Sequence, residues 1–207
     1  KDKLMKQGNW RKKLEYFWMY YKIPFLAVLG VCVVIVYFGY AKITEKEYAF
    51  NAILLDIHTN AQEEMLEEEF ADYAGIDTKK YDVLISTSLL FSDSSSGNYA
   101  MTSLARLYTQ IGTEVLDVCM MLENDFTEYA GADAFMDLRE VFTEEELEQF
   151  PNLYVDEEGR VLGVYNEGLD KIQEIGGYSD ETSVAGILYN TKHVDTAKQF
   201  LEYLLEG

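Results

Sequence analysis

Residues 23–41 form a run of 19 residues without a charged side chain, closed off by Lys22 and Lys42. About 20 apolar residues cross the hydrocarbon core of a bilayer as a helix. The flanks fit such a span. Trp10, Tyr16, Phe17, Trp18, Tyr20 and Tyr21 precede the run and Tyr37 and Tyr40 end it, as aromatic belts do at the two membrane interfaces. Basic residues are concentrated on the N-terminal side, which predicts a cytoplasmic N-terminus and an extracellular C-terminal part.

Two other N-terminal signals fit less well. A cleaved signal peptide has an apolar stretch of roughly 7–15 residues. Gly39-Tyr40-Ala41 matches its small-x-small exit, but the run is longer. A lipoprotein signal places a small residue before the modified cysteine, whereas Val31 precedes Cys32 in the middle of the run. The expected organisation is a basic, aromatic juxtamembrane segment (1–22), a single-pass transmembrane helix (23–41) and an extracytoplasmic domain (42–207). Residues 9–22 are expected to be helical and to enter the membrane from its surface. The linker is residues 42–47.

Charge divides at the same place. Residues 1–41 carry Lys1, Lys3, Lys6, Arg11, Lys12, Lys13 and Lys22 against Asp2 and Glu15, a net of +5, while residues 42–207 hold ten basic and 35 acidic side chains, a net of −25. The acidic part repels nucleic-acid phosphates and would attract cations or a basic partner. A solvated, soluble surface accounts for the same charge. With 48% hydrophobic and 26% charged residues the chain is not disordered by composition.

Cys32 lies in the apolar run and Cys119 in an apolar strand-like segment, so a mutual disulfide is not expected. An outward-facing domain without disulfides suits a bacterial, Gram-positive envelope. His58 and His193, with no cysteine cluster, offer no zinc spacing.

Hydrophobic periodicity divides the outer part into alternating strands and helices. Strands are expected at 48–57, 81–91, 116–122 and 184–189, with a hairpin over 153–165 turning at Glu158-Gly159. Helices are expected at 61–74, capped by Asn60 and stopped by Gly75, with Met65, Leu66, Phe70 and Tyr73 inward. Others fall at 99–112, 124–135 and 195–205. Thr143 and Glu146 have capping-box spacing. Apolar strands joined by helices predict one three-layer α/β domain with a mainly parallel sheet.

Three segments in this order resemble one lobe of the extracellular solute-binding proteins of ABC importers, the type II periplasmic-binding fold. They are ARLYTQIGTEVLDVCMML (105–122), EYAGADAFMDLREVFTEEELEQF (128–150) and VAGILYNTKHVDTAKQFLEYLL (184–205). The hairpin LYVDEEGRVLGVY sits where those proteins carry their crossover segment. Only 18 residues (166–183) stand where a second lobe would be inserted, too few for a domain. The resemblance therefore implies a one-lobe, membrane-anchored relative. Its implied partners are an ABC transporter permease or another envelope protein, and a small solute or peptide.

In open α/β sheets ligands meet the loops at the carboxyl ends of the strands. Three loops qualify: His58-Thr59-Asn60; the loop 92–98 with Ser94, Ser95, Ser96 and Asn98; and Glu123-Asn124-Asp125. The first two suit a carboxylate or sugar hydroxyl, the third a cation or amine. Capping and turn chemistry explains the same residues. No nucleophile elbow, phosphate loop or dinucleotide fingerprint occurs. Asp93 and Asp156-Glu157-Glu158 lack EF-hand spacing. The expectation is a non-catalytic binding domain without cofactor, metal or nucleic-acid partner. The alternative is an assembly subunit of a membrane complex with no small ligand.

Overall fold

The computed structural model describes residues 9–44, 46–89, 105, 107–178 and 181–206, which fall into two compact units divided at Glu45 and Lys46. The first unit is one helix, α1 (Asn9–Thr44), of 36 residues with Pro24 inside it, about 54 Å long at 1.5 Å per residue. Its Ile23–Tyr40 stretch has a mean hydropathy of 2.4 and none of it is buried. By length and composition this helix can cross a membrane.

The second unit is an α/β domain on one six-stranded sheet. Its elements are β1 (Glu47–Leu54), α2 (Glu63–Ala74), β2 (Tyr81–Ser86), α3 (helical residues 107–112), β3 (Val118–Leu122) and α4 (Glu123–Gly131). A 3₁₀ turn (Leu138–Glu140), α5 (Glu144–Leu147), β4 (Leu153–Val155), β5 (Val161–Tyr165), α6 (Asp170–Glu174), β6 (Ser183–Ile187) and α7 (Val194–Glu206) complete it. Strand order is β2-β1-β3-β6-β5-β4.

The sheet is mixed, which corrects the expectation of a mainly parallel one. β1 runs parallel to β2 and β3, but β6 runs against β3 and β5, and β4 against β5. β6 is buried along its whole length, and such an apolar run reads the same in either direction.

Both faces carry a core. Phe50, Ala52, Leu54, Val118, Met120, Val164 and Ile187 face α2 and α7. There Phe50, Phe70 and Phe200 pack with ring centroids 4.8–5.0 Å apart. Ile53, Leu55, Cys119, Met121, Leu162 and Val184 face Leu107 and the α4 residue Phe126. Both cysteines are free.

Several local expectations hold. Gly75 ends α2 in the left-handed region at φ 68°, which costs glycine least. Thr143 and Glu146 form the capping box, and Gly159 turns the hairpin at φ 79°. Others are corrected. The α2 cap is Gln62, without a side-chain bond, and Asn60 is exposed. Met65 and Tyr73 are exposed, and the helix buries Leu66, Phe70 and Ala71 instead, because its inward stripe is centred on Leu66 and Phe70, one turn apart.

β2 ends at Ser86 and not at residue 91. α2 turns two glutamates onto this sheet edge. Glu67 accepts the Ile85 N–H at 3.0 Å, and Glu63 accepts those of Thr87 at 2.6 Å and Ser88 at 3.0 Å. Side-chain acceptors thus take the place of a further strand.

Candidate functional site

The carboxyl ends of β1 and β3 lie side by side, since β1 pairs with β3 in parallel. Here the chain places acids at the close of apolar strands. Asp56 follows β1, buried, with a left-handed φ of 54°; a short polar side chain tolerates that conformation better than most. Its N–H donates to Leu89 O at 3.0 Å. Glu123 and Asp125 stand in the first turn of α4, immediately after β3, where the helix dipole favours negative charge.

Glu123 accepts the Tyr165 hydroxyl at 2.6 Å, so the end of β5 joins the cluster. Burial, with the Glu123 carboxylate as the next cause, pushes the Tyr165 phenol up to about 12. Burial first, then the negative charges of Asp56 and Glu128, raises the Asp125 carboxyl above its ordinary value. The Tyr178 hydroxyl donates to Leu55 O. Asn166 donates to Tyr178 O at 3.3 Å and Glu181 O at 3.0 Å. Asn166, Gln173 and Tyr178 help line an adjoining recess of about 310 Å³.

The residues singled out in the sequence fare differently. Glu123 meets Tyr165, and Asp125 lies within electrostatic range of Asp56. Thr59 has a structural bond, donating to Ile175 O at 2.6 Å while accepting the Ala61 N–H. His58, Asn60 and Asn124 are exposed. Ser94, Ser95, Ser96 and Asn98, like Asp93, lie outside the described residues. At the hairpin, Asp156 and Glu158 are engaged by Arg160, at 2.7 and 3.5 Å. Among the described residues no group of three or more His, Cys, Asp or Glu side chains is placed to hold a metal ion.

Asp56, Tyr165 and Tyr178 were not singled out by sequence. An aspartate inside the apolar stretch LLDI is the signal that could have found the first, because a buried charge needs polar company. A second such acid, Asp117 in LDVCMML, forms a network at the opposite end of the sheet. It accepts the Asn51 N–H at 2.8 Å, the Thr191 hydroxyl, and His193 Nδ1–H at 3.1 Å. This network ties the start of α7 to β1 and β3.

What the carboxyl-end cluster can do chemically follows from its groups. A half-buried carboxyl whose ionisation is opposed by a neighbouring carboxylate, as Asp125 is by Asp56, is relieved by a positive charge. Comparison with protein-family models, curated proteins and solved structures gives no match. The likeness to a solute-binding lobe therefore rests on the order of short segments alone.

Proposed function

We propose that this chain is a membrane-anchored, outward-facing binding domain, non-catalytic, that receives a small solute or peptide through a positively charged group. The observation that carries this reading is the placement of Asp56 and Asp125 just beyond the carboxyl ends of two adjacent parallel strands, β1 and β3, where burial and Asp56 raise the Asp125 carboxyl. A cation or an amine would offset the acidic charge of Asp56 and Asp125 there. α1 would be the anchor, with its basic N-terminal side in the cytoplasm. A solute-binding-like domain on such an anchor would serve an ABC transporter permease.

The test is thermal unfolding of the full chain in mild detergent against amines, amino acids, short basic peptides, sugars and divalent cations. Ligand at a hundred times its dissociation constant adds about 2.7 kcal/mol. Saturable stabilisation by amines or basic peptides, lost in D125N, supports the reading. Protease added outside intact cells should digest the domain.

One observation favours a second reading. Residues 46–207 form a single unit on a single sheet, and no second lobe that could close over a ligand occurs among the described residues. An assembly subunit of a membrane complex needs none. It would show no stabilisation by any solute and would co-purify with an envelope protein.

A further inference from the structure

We propose that the segment of α1 at residues 9–22 is a docking surface for the headgroups of anionic phospholipids. The inference rests on the reading of α1 as a membrane anchor and deepens it. The helix is 36 residues long, but its apolar window begins only at Ile23. The 14 residues before it add about 21 Å of helix, whereas the headgroup layer on one side is only about 5–8 Å deep. A straight continuation would carry most of this segment past the headgroups into water. Its composition does not suit water: six of its residues are aromatic, Trp10, Tyr16, Phe17, Trp18, Tyr20 and Tyr21, and Trp18 is exposed. Tyrosine and tryptophan belong at the headgroup level.

Pro24 stands at the junction, inside the helix. It removes one backbone hydrogen bond where a bend would lay the segment along the interface. Arg11, Lys12, Lys13 and Lys22 against Glu15 give the segment a net charge of +3, complementary to a phosphodiester headgroup that bears a net negative charge. Basic residues beside a membrane draw anionic lipids in this way. The acidic domain, at −25, repels the same lipids.

Both tryptophans of the chain, Trp10 and Trp18, lie in this segment, so their fluorescence reports on it directly. The full chain is reconstituted in vesicles holding equal mole fractions of phosphatidylglycerol and phosphatidylcholine, with one or the other brominated near the headgroup. Quenching by brominated phosphatidylglycerol is expected to exceed that by brominated phosphatidylcholine by at least about twofold. The difference should disappear in R11Q/K12Q/K13Q, with helix content by circular dichroism unchanged, and in 1 M salt, where the screening length is about 3 Å. Equal quenching by the two lipids leaves the anchor standing and overturns this inference. Quenching by neither places the segment in water and overturns this inference, whereas only release of the chain from the vesicles by alkaline carbonate would overturn the anchor. Inorganic phosphate at matched ionic strength distinguishes the other source of the same chemistry. If it erases the difference where chloride does not, the segment takes a soluble anion and the lipid assignment fails.

Discussion

Lys171 Nζ lies 2.6 Å from a Glu69 carboxylate oxygen, joining a buried lysine on α6 to α2. Glu174 takes the same ammonium at 2.9 Å, and the Tyr203 ring lies 5.4 Å beneath it. Burial works to lower the Lys171 pKa, but the hydrogen bonds to Glu69 and Glu174 outweigh it and hold the value above that of a free lysine. The charge therefore persists through the neutral range. Lys171→Ala is expected to cost about 2 kcal/mol in urea unfolding, below the usual loss for a broken buried pair because both glutamates can return to water. Lys171→Met, which keeps the carbon stem against Tyr203, should cost less. Equal losses would mean that the carbon stem contributes nothing and that the ion pairs carry the whole effect.

Phe126 on α4 stacks on Phe135 with centroids 4.1 Å apart, and the pair lies on backbone bared by two glycines. A Cβ at Gly186 would fall 2.7 Å from Phe135, 2.8 Å from Phe126 and 2.9 Å from Leu162 O. At Gly163 it would meet Ala185 O at 2.7 Å. Neither backbone oxygen can give way without disturbing the sheet. Gly186→Ala and Gly163→Ala are each expected to destabilise by about 1–3 kcal/mol. Gly131→Ala, where nothing lies within 4 Å, is the control and should stay close to the parent in denaturant midpoint.

These glycines also show where the sequence stopped being informative. Period and cap signals are local, so α2 with Gly75, the Thr143–Glu146 box, the hairpin at Gly159 and the amphipathic α7 could all be read from the residues themselves. Strand direction is not local. VAGI within β6 looks the same whether its neighbour runs with it or against it, and only the path of the chain through 166–183 decides. The candidate site was half legible. Glu123 and Asp125 could be placed at a strand end by spacing, but Tyr165 reaches Glu123 and Asp56 comes near Asp125 only because β1, β3 and β5 end at the same edge.

Asp125 gives a pH dependence whose sign can be worked out. Its carboxyl is raised in the folded chain, by burial first and then by Asp56 and Glu128. Below the ordinary carboxylate value it is protonated in both states and has no effect. As pH rises through the window between the ordinary and the raised value, the unfolded chain ionises more readily and folding loses free energy. Asp125→Asn should therefore match the parent near pH 3 and exceed it at neutral pH. The gain should be less than about 1 kcal/mol, since the side chain is only partly buried. Urea midpoints at the two pH values measure it, and a variant less stable at neutral pH would contradict the assignment.

Asp117 accepts three donors from two parts of the chain: the Asn51 N–H in β1, and the Thr191 hydroxyl and His193 Nδ1–H in the turn that leads into α7. They differ in what they could find instead. Asn51 is 2% exposed, so its N–H has no access to water, whereas His193 is 34% exposed on its side chain. Removing the acceptor should hence cost far more than removing one of the outer donors. Asp117→Ala is expected to lose about 3 kcal/mol, and Thr191→Val and His193→Ala about 1 kcal/mol each. Because the three share one carboxylate, Asp117→Ala combined with Thr191→Val should cost less than the sum of the two, by at least about 0.5 kcal/mol. Strict additivity in urea unfolding would show that Thr191 is held by its bond to the His193 N–H and not by Asp117, and the anchor of α7 would then reduce to a local turn.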